Sequence, residues 1–376
     1  MDFSRIEKRA IYNIENQRIP GCAVSVLKGT DVVFRGVYGY ADPVEKVHLK
    51  GDALFRLASM SKPVTAIALM TLIEEGKLTL DTEVGTLIPS FKTMTVGKLE
   101  NGKAVPKSAA VRPITIRHLL SHTSGLGSGE VGYAQMAAFM PKDGEKLGDV
   151  IPHYGKCMLD FEPQSMNAYS GHMAFDTLSY ICELLSDMPF DEFVKKRVTD
   201  KLETNDLCYL PTKEQEARLI PMFGESPNGL RKTPGFDGLN FNPFPRSFFA
   251  GSCCMLGSLD AYTAFVQMLA GGGNAKGGRI VKEETIRQMA SPAFGDGCVR
   301  FDNGQTWGLS FRVITEPKDA TAVLSKGAFG WSGAYGTHFV VDPVRNISLV
   351  YLMNCSTAMG AGAFTAREIE QDVYGV

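Results

Sequence analysis

The chain has 376 residues, with 39 basic and 41 acidic side chains, a net charge of −2, and 44% hydrophobic against 21% charged residues. That near-neutral balance argues against an electrostatic grip on nucleic acid and against a polybasic membrane patch, both of which need a basic excess. The ordinary apolar content excludes a disordered chain, the length points to two subdomains, and no apolar run approaches the roughly 18 residues that span a bilayer.

The start, Met1 to Lys8, is charged and has no apolar leader segment, so a cytoplasmic protein is expected. A helix is predicted over about residues 3–18. Two strands follow, Ala23–Leu27 and Val32–Tyr38, rich in β-branched and aromatic residues and joined by the hairpin-like Lys28-Gly29-Thr30-Asp31. From Ser59 to Glu75 the pattern is helical, and Gly76 is a natural stop.

Between about 80 and 300, helical stretches near 116–121, 173–187 and 258–270 alternate with long loops, and Gly224–Pro245 reads as an irregular excursion. Strands return at Trp307–Ile314, Gly336–Val341 and Ile347–Leu352, and a last helix is expected from about Ala361 to Tyr374. The expected fold is therefore of the α/β (α+β) kind. Residues 1–80 and 300–376 would build a sheet flanked by helices, and 81–299 would be a mostly helical insertion, with the active site at the interface. The eight cysteines are scattered, apart from the neighbours Cys253 and Cys254, and lack a C-x-x-C spacing. They read as reduced, mostly buried thiols.

The sharpest motif is Ser59-Met60-Ser61-Lys62 at a helix start. Three residues apart on a helix, Ser59 and Lys62 share a face. A desolvated lysine can take the hydroxyl proton that makes serine a poor nucleophile, and the helix N-terminus favours a developing oxyanion. Neighbouring Ser61 points elsewhere. About one S-x-x-K is expected by chance in a chain this long, so the motif alone is weak. A second signal is Asn167-Ala168-Tyr169-Ser170-Gly171-His172, where a phenol could serve as general base or acid. From this loop alone a core tyrosine is the better reading.

The third is Gly330-Trp331-Ser332-Gly333-Ala334-Tyr335-Gly336, leading into an apolar strand. Its likeness to a G-x-S-x-G elbow fails because a strand, not a helix, follows Ser332. His118 and His122 have i, i+4 spacing but lack the Glu of H-E-x-x-H, so no metal is expected. Gly271-Gly272-Gly273 reads as a turn rather than a phosphate loop. Asp176 either orients the Tyr169 loop or is a solvated helix residue.

Taken together and in this order, the three motifs resemble those of the serine β-lactamase-related superfamily, which includes class C β-lactamases, DD-peptidases and family VIII carboxylesterases. Ile114–Leu126 and Glu74–Asp81 also resemble stretches typical of that group, and the likeness runs from about residue 20 to 355. It implies a β-lactamase/transpeptidase-like fold, no cofactor and no metal. Ser59 would be the nucleophile, Lys62 and Tyr169 would share the proton work, and the backbone N–H groups of Ser59 and Ala334 would hold the oxyanion. The third motif is most similar to that of the esterases, which often begins with Trp.

Two departures matter. Gly171 stands where β-lactamases carry Asn, and Trp331 replaces the Lys that meets a substrate carboxylate. The expected function is hydrolysis of small carboxylic esters, with Trp331, Ser332, Gly333, Tyr335, His172 and His338 along the substrate cleft and the loop from Phe241 to Phe249 closing an apolar pocket. The expected partner is a small-molecule ester or amide, with no nucleic acid and no membrane. The alternatives are a β-lactamase or D-amino-acid peptidase or amidase, an acyltransferase, and a non-catalytic penicillin-binding or scaffold protein. Lys62→Ala and Tyr169→Phe are expected to spare folding.

Overall fold

The computed structural model describes residues 3–234, 244–294, 304–358 and 364–375. Phe241, Cys298 and the expected helix start at Ala361 lie outside them. Helix α1 (Ser4–Glu15) stops short of its expected end, and Gln17, at φ 54°, turns the chain toward Pro20. β1 (Gly21–Lys28) and β2 (Asp31–Asp42) form the expected hairpin, with Lys28 opposite Asp31 and Gly29 at φ 62°, a conformation that favours glycine. β3 (Val47–His48) pairs with β2.

Helix α2 (Ser61–Glu74) is buried around its whole circumference from Ser61 to Leu72, as befits a helix inside the molecule rather than on its surface. The middle of the chain contributes α3 (Ile116–Leu120), α4 (Met173–Ser186) and α5 (Leu259–Ala270), close to the expected positions. It also contains hairpins that the sequence pattern concealed, Thr95–Glu100 with Lys103–Ala109 and Phe223–Ser226 with Gly229–Lys232. The last stretch gives β4 (Gln305–Trp307), β5 (Arg312–Ile314), β6 (Phe329–Ser332), β7 (His338–Asp342), β8 (Ile347–Leu352) and α6 (Phe364–Tyr374).

The single strand expected over Trp307–Ile314 is thus two antiparallel strands. The chain reverses between them, where Gly308 N–H donates to Phe311 O at 2.8 Å and Ser310 takes a positive φ of 76°. A Cβ on Gly308 would lie 2.1 Å from Met289 O, so only glycine fits there.

Strands from both ends of the chain build one eight-stranded antiparallel sheet in the order β4-β5-β6-β7-β8-β1-β2-β3. β1 joins the two ends by lying beside β8, with Ala23 opposite Leu352. Alternation then sorts its side chains. Cys22, Val24 and Val26 pack with Ile6 of α1 and Ile369 of α6, while Ala23 and Leu27 face the larger core that holds α2, α4 and α5. A sheet covered on both faces reads as a continuous apolar run, which is why β1 is buried from Gly21 to Leu27. Among the described residues no helix is long and apolar enough to cross a membrane.

Candidate active site

The segment Ala58–Met60 is a single 3-10 turn leading into α2. It holds Ser59 in place through contacts on two sides. Leu57 N–H donates to Met255 O at 3.0 Å, and Leu57 O accepts from Thr337 Oγ1 at 3.0 Å. Ser61, fully buried, donates to Ala58 O at 2.8 Å and accepts from Met255 N–H at 3.2 Å, so it is a brace rather than a reactive group. Ala58 sits at φ 47°, a costly conformation for a residue with a Cβ, and these contacts hold it there.

Lys62, in the first turn of α2, is 1% exposed. Its Nζ donates to Gly171 O at 2.7 Å and to Ser252 O at 2.8 Å, and stands 3.2 Å from Ser59 Oγ. The two carbonyls take two N–H bonds, so the remaining position on the nitrogen lies on the line to Ser59, where it can carry a proton or a lone pair. Tyr169 Oη completes the group at 2.7 Å from Ser59 Oγ. One hydroxyl therefore has two proton partners, the arrangement that acyl transfer through serine needs. The same geometry corrects the expectation that Lys62→Ala spares folding, because that change would orphan the buried Ser252 carbonyl and the half-buried Gly171 carbonyl and open a cavity.

Tyr169 is held among aromatic rings, 4.7 Å from His122, 5.2 Å from Trp331 and stacked on Trp307 at 5.8 Å between centroids. His122 is fully buried, and its Nδ1 accepts from Ser170 N–H at 3.1 Å. Burial first, and the Lys62 charge second, push its pKa well below the usual value, so it is a neutral ring against the phenol. Sequence reasoning weighed His122 only as a metal ligand, which it set aside, or a structural loop residue, and Trp307 only as a strand start. His118, its supposed partner, instead accepts from Thr115 N–H at 3.2 Å and caps α3.

Behind Lys62 stands Ser252, which no motif announces. Its N–H donates to Asp176 Oδ1 at 3.0 Å, and its hydroxyl lies 3.3 Å from His172 Nδ1. Asp176 is fully buried, not solvated, and burial first, then the charge of Cys253, raises its pKa to about 7. His172 meets Phe244 edge-on at 5.1 Å. Burial opposes its imidazolium, but the hydrogen bond and charge of Cys253 outweigh that and raise its pKa. At Gly171 a Cβ would meet nothing within 4 Å, so the position at which the resemblance would lead one to expect an Asn side chain is open space.

In the third motif, Trp331 turns inward to Tyr169 and to Trp307, 4.5 Å away. Its neighbour Ser332 then points to the other face of β6. Ser332 Oγ lies 2.8 Å from Nδ1 of His338, its direct cross-strand partner, and His338 Nε2 lies 2.9 Å from Glu370 Oε1 on α6. Arg312 Nη2 completes the chain, 3.2 Å from the same oxygen. Burial works against the Glu370 carboxylate, but His338 and Arg312 outweigh it and hold its pKa below the usual value.

The expectation that Ser332 and His338 present their side chains along the cleft is therefore corrected. Both are buried, and both ring nitrogens of His338 are taken up within the protein. Gly333 closes the strand against the turn that carries Ser59, since a Cβ there would lie 2.2 Å from Leu57 O and 2.2 Å from Thr337 Oγ1. Gly333 N–H donates to Thr337 O at 2.7 Å and Gly336 N–H to Gly333 O at 3.1 Å, which leaves Ala334 exposed at the tip of the turn. Tyr335, half-buried beside it, has its phenol pushed to about 12, chiefly by burial.

A family model described as Beta-lactamase matches residues 6–373. Esterase EstB of Burkholderia gladioli is 26% identical over 94% of this chain and 90% of its own length. Penicillin-binding protein 4* of Bacillus subtilis (strain 168) is 30% identical over 88% of this chain and 67% of its own. Among solved structures, EstCE1, described as a hydrolase with promiscuous acyltransferase activity, superposes with a TM-score of 0.80 at 24% identity, covering 99% of this chain and 98% of that one.

Proposed function

The chain belongs to the beta-lactamase family and is a serine hydrolase, and we propose that it cleaves small, neutral carboxylic esters through an acyl-enzyme on Ser59. Ser59 Oγ attacks the ester carbonyl while its proton passes to the Tyr169–Lys62 pair, which stand 2.7 Å and 3.2 Å away. The N–H groups of Ser59 and Ala334 receive the oxyanion, a placement favoured by the contact of Gly333 with Leu57 two residues before the nucleophile. The phenol returns the proton to the leaving alcohol, and water then releases the acid by the same route in reverse.

The observation that carries the esterase reading is Trp331. It packs against Tyr169 at the position where β-lactam-cleaving relatives place an ammonium. An indole supplies no charge-assisted bond to a substrate carboxylate, and an unpaired carboxylate is costly to desolvate. The open space at Gly171 removes a side-chain amide as well. Neutral esters need neither contact. Wild-type kcat/KM is expected to be far higher for nitrophenyl butyrate than for a chromogenic cephalosporin, and Trp331→Lys is expected to narrow the gap. A wild-type enzyme that prefers the cephalosporin contradicts the esterase reading. A Trp331→Lys variant that gains nothing on the anionic substrate contradicts the role given to Trp331.

A further inference from the structure

Cys253 and Cys254 adjoin the residue that holds the catalytic lysine, and their sulfurs lie 3.2 Å apart. Ser252, one step upstream, accepts from Lys62 Nζ through its carbonyl, and its hydroxyl is 3.7 Å from Cys253 Sγ. Cys254 is at φ 79°, so the backbone here is already turned into the left-handed region. We propose that this pair is a modification site that takes hydroperoxides, closing reversibly to a disulfide between neighbouring residues and withdrawing the Ser252 carbonyl from Lys62.

The chemistry balances with peroxide as the oxidant. The Cys253 thiolate attacks the O–O bond, hydroxide leaves, and a sulfenic acid forms. The Cys254 thiol then attacks that sulfur, and water leaves as the S–S bond closes. The surroundings suit the first step. The hydrogen bond from Cys254 foremost, against the opposing effect of burial, and then His172 and the Lys62 charge hold the Cys253 thiol well below its usual pKa. Cys253 is 7% exposed, so a small oxidant rather than a bulky one fits the approach.

The second step strains the chain. Cα atoms of neighbours stand about 3.8 Å apart, below the roughly 4.4–6.8 Å that disulfides favour. The sulfurs must also close from 3.2 Å to about 2.05 Å. Strain of that kind makes a bond easily reduced, as a reversible modification requires and a structural disulfide does not. It also displaces the backbone next to Ser252, and shifts of about 1 Å in a catalytic group cost up to about 10²-fold in rate.

The test treats the intact protein with hydrogen peroxide, alkylates free thiols under denaturing conditions, and maps the peptides. A bond between Cys253 and Cys254 is expected, with turnover of nitrophenyl butyrate down at least about tenfold and restored by dithiothreitol. Cys254→Ser, which keeps a hydroxyl donor beside Cys253, is expected to keep its turnover, form no bond, and capture dimedone at Cys253. Recovery of both thiols alkylated after peroxide overturns the site. A bond that forms without changing turnover overturns its link to Lys62. The peptide map needs no turnover, so the site stands or falls apart from the esterase reading.

Discussion

Tyr169→Phe lowers kcat on an activated ester by about 10²-fold or more, and Lys62→Met by at least as much, the usual scale for a lost, positioned proton transfer. The phenol oxygen is the group nearest to Ser59 Oγ, at 2.7 Å, and phenylalanine removes that oxygen while leaving the ring in its box of His122, Trp307 and Trp331. Tyr169→Phe therefore unfolds close to the wild-type temperature. Lys62→Met does not. Methionine fills the space but leaves half-buried Gly171 O and buried Ser252 O without their donor, and the buried Ser252 carbonyl alone costs about 1–3 kcal/mol when orphaned. Steady-state kinetics beside thermal melts separate the two. A Tyr169→Phe enzyme with near wild-type kcat removes the phenol from the proton path, and a Lys62→Met enzyme of undiminished stability contradicts the role of the ammonium as the tie between two loops.

Gly333→Ala is the second large effect, and it acts without touching a reacting atom. The new Cβ would lie 2.2 Å from a backbone oxygen, Leu57 O, so the end of β6 must move away from the turn that carries Ser59. Overpacking of this kind costs about 1–3 kcal/mol. The displacement separates Ala334 N–H from Ser59, and loss of one oxyanion donor costs about 10²–10³ in kcat. We expect kcat to fall on that scale while the affinity for a neutral ester changes little. Unchanged kcat in a destabilised Gly333→Ala protein would show that the contact serves packing alone, and would remove Ala334 from the oxyanion assignment.

What was legible in the sequence was local. Ser59 and Lys62 lie on adjoining turns, Lys28 to Asp31 is a turn written in its own residues, and β1 announces itself as an unbroken apolar run. Tyr169 was legible only as part of a family order of motifs. The missing parts depend on contacts between distant segments. Ser252 reaches Lys62 from 190 positions away and carries no signature, since its carbonyl rather than its side chain makes the bond.

The misreading of Ser332 and His338 has a different cause. Adjacent residues on a strand cannot both face the cleft, so once Trp331 packs on Tyr169, Ser332 must face α6. Strand alternation was available in the sequence, but which of the two residues turned inward was not. The hairpins at 95–109 and 223–232 hid for a related reason, because these only partly buried strands carry Lys, Glu, Ser and Pro in place of an alternating apolar face.

The central claim is that Ser59 alone carries the acyl group. Intact-protein mass spectrometry after a fluorophosphonate probe, followed by peptide mapping, tests it most directly in the wild type and in Ser59→Ala. The account predicts one adduct per chain, on Ser59, and none in the variant. Ser332 is the sharpest competitor, since it has its own histidine partner at 2.8 Å and a carboxylate beyond it. An adduct on Ser332 or Ser61, with Ser59 unmodified, would contradict the account.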